Sequence, residues 1–213
     1  MVKIIALLGD YWHKAEDAEA GLENALTGFP ENEEIDLQYV THEEVAEALQ
    51  TEPDLFINAK MDPLNPKDEN VITWLTEELD QQVTQYVKNG GSMLAWHAGM
   101  AGYASESRYI QMLRGAFDYH PPGLQQVTYQ YKEDNERKEF TITDEQYFVH
   151  CDTSRTYVDL WSTGPDGDAI AGWKHLYEKG RVCCFSPAHT KEGMLDENVA
   201  SLLFAKISWL LHR

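Results

Sequence analysis

Histidine and carboxylate side chains are the groups in this chain that could carry a proton near neutral pH, and several fall in short polar segments directly after apolar runs. The sharpest such segment is Gly90-Gly91-Ser92-Met93-Leu94-Ala95-Trp96-His97-Ala98-Gly99, a strand running into a tight turn that sets His97 at the strand-to-helix elbow. Gly9-Asp10-Tyr11-Trp12-His13 supplies a carboxylate, aromatic rings and an imidazole after another apolar run. Asn58 and Asp62 belong to a third loop, His120 precedes Pro121, Glu145 and Tyr147 stand in Asp144-Glu145-Gln146-Tyr147, and His189 follows Ser186-Pro187-Ala188. His42, His175 and His212 occupy polar, helix-start or terminal positions and read as surface groups.

Cysteine offers less. Cys151, between His150 and Asp152, has no segment nearby that would build an oxyanion hole, and Cys183 and Cys184, adjacent in a strand, point to opposite faces as small hydrophobes. No cysteine nucleophile is expected. His13, His97, His120 and Glu145 are also donor types for zinc or another divalent ion, so a divalent metal is compatible with the sequence. No compact run such as His-Glu-x-x-His demands one, and the sequence requires no cofactor.

These segments need a scaffold, and the first half of the chain supplies a strand-helix alternation. Val2 to Leu8 is a nearly continuous apolar run of the kind buried on both faces of a parallel sheet. Ala15 to Leu26 reads as a helix, Ile35 to Val40 as a strand, and Thr41 with Glu44 as a capping box opening the next helix. Pro53 to Ile57 gives a third strand, a long helix is expected from about Val71 to Lys88, and Ser92 to Trp96 forms a fourth strand after Asn89-Gly90-Gly91. This order predicts a doubly wound parallel sheet, whose ligands bind outside the carboxyl ends of the strands. The loops 9–14, 58–66 and 97–103 would share that crevice. Beyond it, Gln125 to Tyr131 and Lys138 to Ile142 read as an antiparallel hairpin joined by a charged turn from Lys132 to Arg137. Tyr157 to Ser162, Ala169 to Trp173 and Arg181 to Phe185 read as further strands, and Asn198 to Leu211 as a closing helix.

The composition fits one soluble globular domain, residues 1–213, with 43% hydrophobic and 25% charged residues. Seventeen Lys and Arg against 36 Asp and Glu leave a formal charge of −19, which repels phosphate backbones and anionic lipid, so neither nucleic acid nor membrane is an expected partner. The apolar start is broken at Gly9 and Asp10 without signal-peptide features, and three cysteines lack paired spacing; a cytoplasmic location is expected.

The His97 segment resembles the nucleophile elbow of class I glutamine amidotransferase-like proteins, where cysteine holds the elbow position. With histidine there instead, amidotransferase chemistry is not expected. Together with Gly9-Asp10-Tyr11-Trp12-His13, Leu113-Arg114-Gly115-Ala116-Phe117 followed by His120-Pro121, Asp144-Glu145-Gln146-Tyr147, and Gly180-Arg181-Val182 leading to Ala188-His189, it resembles the ThuA-like (trehalose utilisation) family over most of the chain. Ala188 stands where the family usually has glycine, a departure in that turn.

The resemblance implies an α/β fold: a flavodoxin-like, doubly wound, mostly parallel sheet of the class I glutamine amidotransferase-like type with an inserted antiparallel hairpin. It also implies a role in bacterial use of trehalose, related disaccharides or keto-sugars. His97 is then the expected principal acid/base, with His13 and His120 assisting and Glu145 orienting the imidazole or sharing its proton. Asp10, Trp12, Asn58, Tyr147 and His189 are expected to bind the small-molecule sugar. Trp12 and Trp173 could offer stacking faces, while Trp96 reads as core. A non-catalytic sugar-binding or regulatory module, a structural subunit and a divalent-metal-dependent enzyme are the alternatives. Homodimerisation is the expectation from the habit of the fold.

Overall fold

Strand β1 (Val2–Leu8) is the apolar run at the start of the chain, and burial on both faces explains its lack of alternation. The computed structural model describes residues 1–133 and 136–212. Helix α1 (Ala15–Leu26), β2 (Ile35–Tyr39), α2 (Val45–Gln50), β3 (Leu55–Ala59), α3 (Glu77–Asn89) and β4 (Ser92–Trp96) complete the strand-helix half. A 3-10 turn (His97–Met100), α4 (Arg108–Leu113), β5 (Gly115–Tyr119), β6 (Gln125–Glu133), β7 (Glu136–Asp144) and β8 (Phe148–Cys151) follow. The chain then runs through β9 (Tyr157–Gly164), β10 (Gly167–Tyr177), β11 (Gly180–Phe185), α5 (Lys191–Met194) and α6 (Glu197–Leu210).

One nine-stranded sheet runs in the order β2-β1-β3-β4-β11-β10-β9-β6-β7. The pairings from β2 to β11 are parallel and those from β11 to β7 antiparallel. The expected hairpin of β6 and β7 is therefore the outer edge of a four-strand antiparallel half that continues the parallel one. Strands β5 and β8 form a separate small antiparallel sheet that the sequence reading does not contain. The residues expected to make a charged turn, Lys132 to Arg137, mostly extend the hairpin: Lys132 pairs with Arg137 and Glu133 with Glu136, while residues 134 and 135 lie outside those described.

Two apolar cores flank the sheet. Ile4, Leu22, Ile57, Leu94, Trp96, Phe185, Leu203 and Ile207 fill the side covered by α1 and α6, and Ile5, Phe56, Val83, Met93, Tyr109, Trp173 and Cys184 the side covered by α3 and α4. Cys183 and Cys184 enter opposite cores, as adjacent strand residues must. Trp173, a candidate stacking surface, is fully buried and donates its indole N–H to the Leu113 carbonyl, so it is a core residue. His175 is likewise buried and bonded to the Met112 carbonyl, against its expected surface position.

The helix expected from Val71 begins instead at Glu77. Residues 62–75 fold back on themselves: Asp62 accepts the Leu75 N–H, Pro63 bridges Thr73, and the Trp74 indole donates to the Met61 carbonyl. Thr76 then caps α3 by accepting the Leu79 N–H at 3.3 Å, leaving Val71 and Ile72 exposed. Thr41 does not cap α2 either. Its N–H and hydroxyl both donate to the Glu44 carboxylate, and Glu44 itself occupies the N-cap position. No helix among the described residues is long and apolar enough to cross a membrane.

Candidate functional site

The loops after β1, β4 and β11 all open at the carboxyl ends of parallel strands, where sheet topology leaves a crevice. In the first, buried Asp10 organises the turn: one carboxylate oxygen accepts the Trp12 N–H, the His13 N–H and His13 Nδ1–H at 2.8, 3.0 and 2.7 Å, and the other accepts the Met61 N–H. Burial would raise the Asp10 pKa, but the His13 hydrogen bond and charge, with the Met61 and Trp12 N–H groups, outweigh it and hold the carboxyl below its usual range. His13 is thereby fixed with Nε2 facing the crevice, 3.1 Å from His189 Nδ1.

In the second loop His97 adopts a left-handed backbone with φ 45°, which turns the chain sharply out of β4. Two residues on, Gly99 is required by space, since a Cβ there would stand 1.9 Å from the Asn58 carbonyl oxygen. His97 is 2% exposed; its Nδ1–H donates to the Ser186 carbonyl at 2.6 Å and its ring stacks on Tyr147 at 4.1 Å between centroids. Burial, followed by the neighbouring His13 and His189 charges, pushes its pKa well below the ordinary histidine value, against the pull of the Ser186 carbonyl. His97 Nε2 is left without a hydrogen-bond partner, 4.0 Å from Glu145 Oε2.

Glu145 comes from the antiparallel half. In sheet order β7 stands four strands from β11, yet its last residue, Asp144, accepts the His189 N–H at 2.7 Å. The segment 186–189, which leaves β11 across β10, helps to close that gap, since the Ser186 N–H donates to the Ala171 carbonyl. Asp144 also accepts the Glu145 N–H and the Tyr129 hydroxyl, so one buried carboxyl fixes the backbone of two site residues. Glu145 Oε2 lies 3.2 Å from His189 Nδ1 and 3.8 Å from His120 Nε2. Burial would raise the Glu145 pKa, but its bonds and charges with His189, then His120 and His13, lower it overall; the His189 pKa is raised chiefly by Glu145.

A cavity of about 400 Å³ opens over this cluster, walled by Trp12, His13, Phe117, His120, Glu145, Tyr147 and His189. That volume is within the range of small-molecule sites, about 300–1,000 Å³. Of the nine expected site residues, His13, Trp12, His120, Glu145, Tyr147 and His189 line it. His97 stands directly behind them. Asp10 is a positioning group behind His13. Asn58 lies outside that wall: fully buried, it donates to the hydroxyls of Tyr103 and Tyr109 and accepts the Lys60 N–H, which uses both ends of its amide. His13, His97, Glu145 and His189 each bring one donor atom within 4.8 Å of all the others, so His189 takes the place in a candidate ligand set that the sequence reading gave to His120.

A family model described as ThuA, trehalose utilisation, matches residues 10–210. The chain belongs to the ThuA family. Among solved structures, a ThuA-like protein of Bacteroides uniformis ATCC 8492 superposes with a TM-score of 0.69 at 18% identity, covering 98% of this chain and 91% of the other. A ThuA-like protein of Parabacteroides merdae ATCC 43184 gives 0.67 at 13% identity, covering 99% and 90%. A cytoplasmic protein of Salmonella typhimurium LT2 gives 0.66 at 16% identity, covering 98% and 99%. At these identities the likeness is one of fold. No curated protein matches the chain significantly.

Within this ThuA-family chain, the sequence reading missed Asp144, the Ser186 carbonyl and Phe117. Asp144 stood inside a segment already singled out, and its position before Glu145 was the available signal. The carbonyl of Ser186 had none, because a backbone acceptor carries no residue signature.

Proposed function

We propose that this ThuA-family protein is an enzyme of carbohydrate utilisation that moves a proton on a sugar or keto-sugar held in the cavity, without a cysteine nucleophile. The observation that carries the reading is the convergence of His13, His120, Glu145 and His189 on one cavity whose other walls include the rings of Trp12, Phe117 and Tyr147. Flat aromatic faces suit the apolar faces of a pyranose, and the polar groups suit its hydroxyls.

His120 is the natural proton carrier. It is the most exposed member of the set, with a third of its side chain open, and its Nε2 faces Glu145 while Nδ1 contacts the Pro121 carbonyl at 2.9 Å. His97, expected in that role, sits where a positive charge is penalised, and it serves better as a fixed neutral group. All three cysteines are free, and both Cys183 and Cys184 are buried with thiol pKa values raised by burial, so none offers a thiolate. Cys151, half-buried, is also shifted upward by burial. The order of the parallel strands, β2-β1-β3-β4-β11, supports a flavodoxin-like and class I amidotransferase-like classification. A cytoplasmic location and a homodimer belong to the same reading.

The test is incubation with trehalose, other disaccharides and their keto derivatives, read by mass spectrometry, for wild type, His120→Gln and Glu145→Gln. Each variant is expected to lose about 100-fold or more in turnover while melting within a few degrees of wild type. Ligand-induced thermal stabilisation with no product from wild type would replace this reading with a binding module.

A further inference from the structure

We propose that His13, His97, His189 and Glu145 hold one divalent transition-metal ion, with a coordination position open to the cavity. The inference rests on the carbohydrate reading only for what the ion would act upon; the site itself stands on geometry.

Four observations support it. The donor atoms lie within 4.8 Å of one another, and two of the pairs, His13 Nε2 to His189 Nδ1 and His189 Nδ1 to Glu145 Oε2, stand at 3.1 and 3.2 Å. Bonds of about 2.0–2.1 Å to a five-coordinate ion, which keeps one position for the cavity, would place neighbouring donors about 2.9–3.4 Å apart, so the two close pairs already fit and the wider ones, within 4.8 Å, must draw in. The tautomers are already set. Asp10 and the Ser186 carbonyl can only accept, so His13 and His97 carry their protons on Nδ1 and turn the lone pair of Nε2 toward the cluster. A carboxylate or backbone carbonyl behind a histidine is the usual outer-shell arrangement of a metal ligand, and here two histidines have one.

Third, the cluster is short of donors. A single proton on His189 Nδ1 faces both His13 Nε2 and Glu145 Oε2, and His97 Nε2, 98% buried, has no hydrogen-bond partner. A cation satisfies all four lone pairs at once. Fourth, the charge balances: the carboxylates of Glu145 and, behind His13, Asp10 together offset two positive charges. Three imidazole nitrogens and one carboxylate, with no thiolate nearby, select zinc, cobalt, nickel, iron or manganese over calcium and magnesium.

An ion here would polarise a sugar carbonyl or hydroxyl entering from the cavity, and His120, 3.8 Å from Glu145 but outside the ligand set, would remain as the proton carrier. Chelator-stripped protein titrated with Zn²⁺ by calorimetry, and with Co²⁺ by visible absorption, tests the site without reference to turnover. One ion per chain is expected, with cobalt bands free of sulfur charge transfer. His97→Gln and His189→Gln should weaken binding about 100-fold or more, and Asp10→Asn about 10–100-fold, while His120→Gln leaves it within about threefold. Circular dichroism establishes that each variant is folded, and Glu145→Gln, altered at the cavity wall, replaces any that is not. Wild type that takes up no ion, or variants at His97, His189 and Glu145 that bind as tightly as wild type, would overturn the proposal. A chain that binds the ion but transforms no sugar would overturn the carbohydrate reading alone.

Discussion

At His175 the folded chain keeps an imidazole where its charge is penalised. Burial first, then the nearby Arg114 and Arg155, depress its pKa to about 4, although the Met112 carbonyl opposes the shift. An unfolded histidine titrates near about 6.5, so between these values the unfolded chain binds a proton that the folded chain refuses. Stability from this residue is complete above about pH 6.5 and is lost as pH falls toward 4, on the order of 3 kcal/mol over the window. Urea melts of wild type and His175→Gln from pH 7.5 to 4.5 should show the variant losing less stability on acidification; parallel curves would remove the assignment. His175 also marks where residue-level reading stops. Its neighbours in sequence, Lys174 and Leu176, do not mark it as core, and only the packing of β10 on α4 reveals that it is buried. The same holds at the site: six of nine expected residues face the cavity because their types are chemically distinctive, while the hydrogen bonds that occupy Asn58 come from tyrosines 45 and 51 residues away.

Element by element, what was legible followed the strength of local patterning. Helix α1 falls on its expected bounds, and β11 within one residue, because apolar spacing and turn residues agree there. Residues 71–75 misled for the opposite reason: Val71, Ile72, Trp74 and Leu75 look like a helical face, but backbone groups of Ile72, Trp74 and Leu75 are claimed by Asp62, Leu64 and Asn65. The small β5-β8 sheet was invisible because each strand is short and its partner about 30 residues away. The turn at His97 to Met100 yields a sharp prediction. Gly99→Ala would drive a methyl group into the Asn58 carbonyl, a rigid backbone contact, and should cost about 3 kcal/mol or more in a denaturant melt or prevent folding altogether. A loss under about 1 kcal/mol would mean that β3 and the turn can separate without penalty.

The whole molecule carries a formal charge of −19, and its compact state therefore repels itself. Raising sodium chloride from about 10 mM to about 300 mM shortens the screening length from about 30 Å to under 10 Å, and the melting temperature should rise by a few degrees. A fall, or no change, would show that attractive ion pairs dominate the surface.

The contact that joins the Asp144-Glu145 end of β7 to His189 also spreads the site over nearly the entire length of the chain. His13 and His189 touch across 176 residues, with His97 and Glu145 supplied in between. During synthesis the cluster cannot exist until the segment holding His189 has left the ribosome, by which time every strand of the large sheet is already available. A nascent polypeptide short of that segment thus holds His13 and His97 without the complete cluster, and occupancy of the cluster would report that the parallel and antiparallel halves have come together.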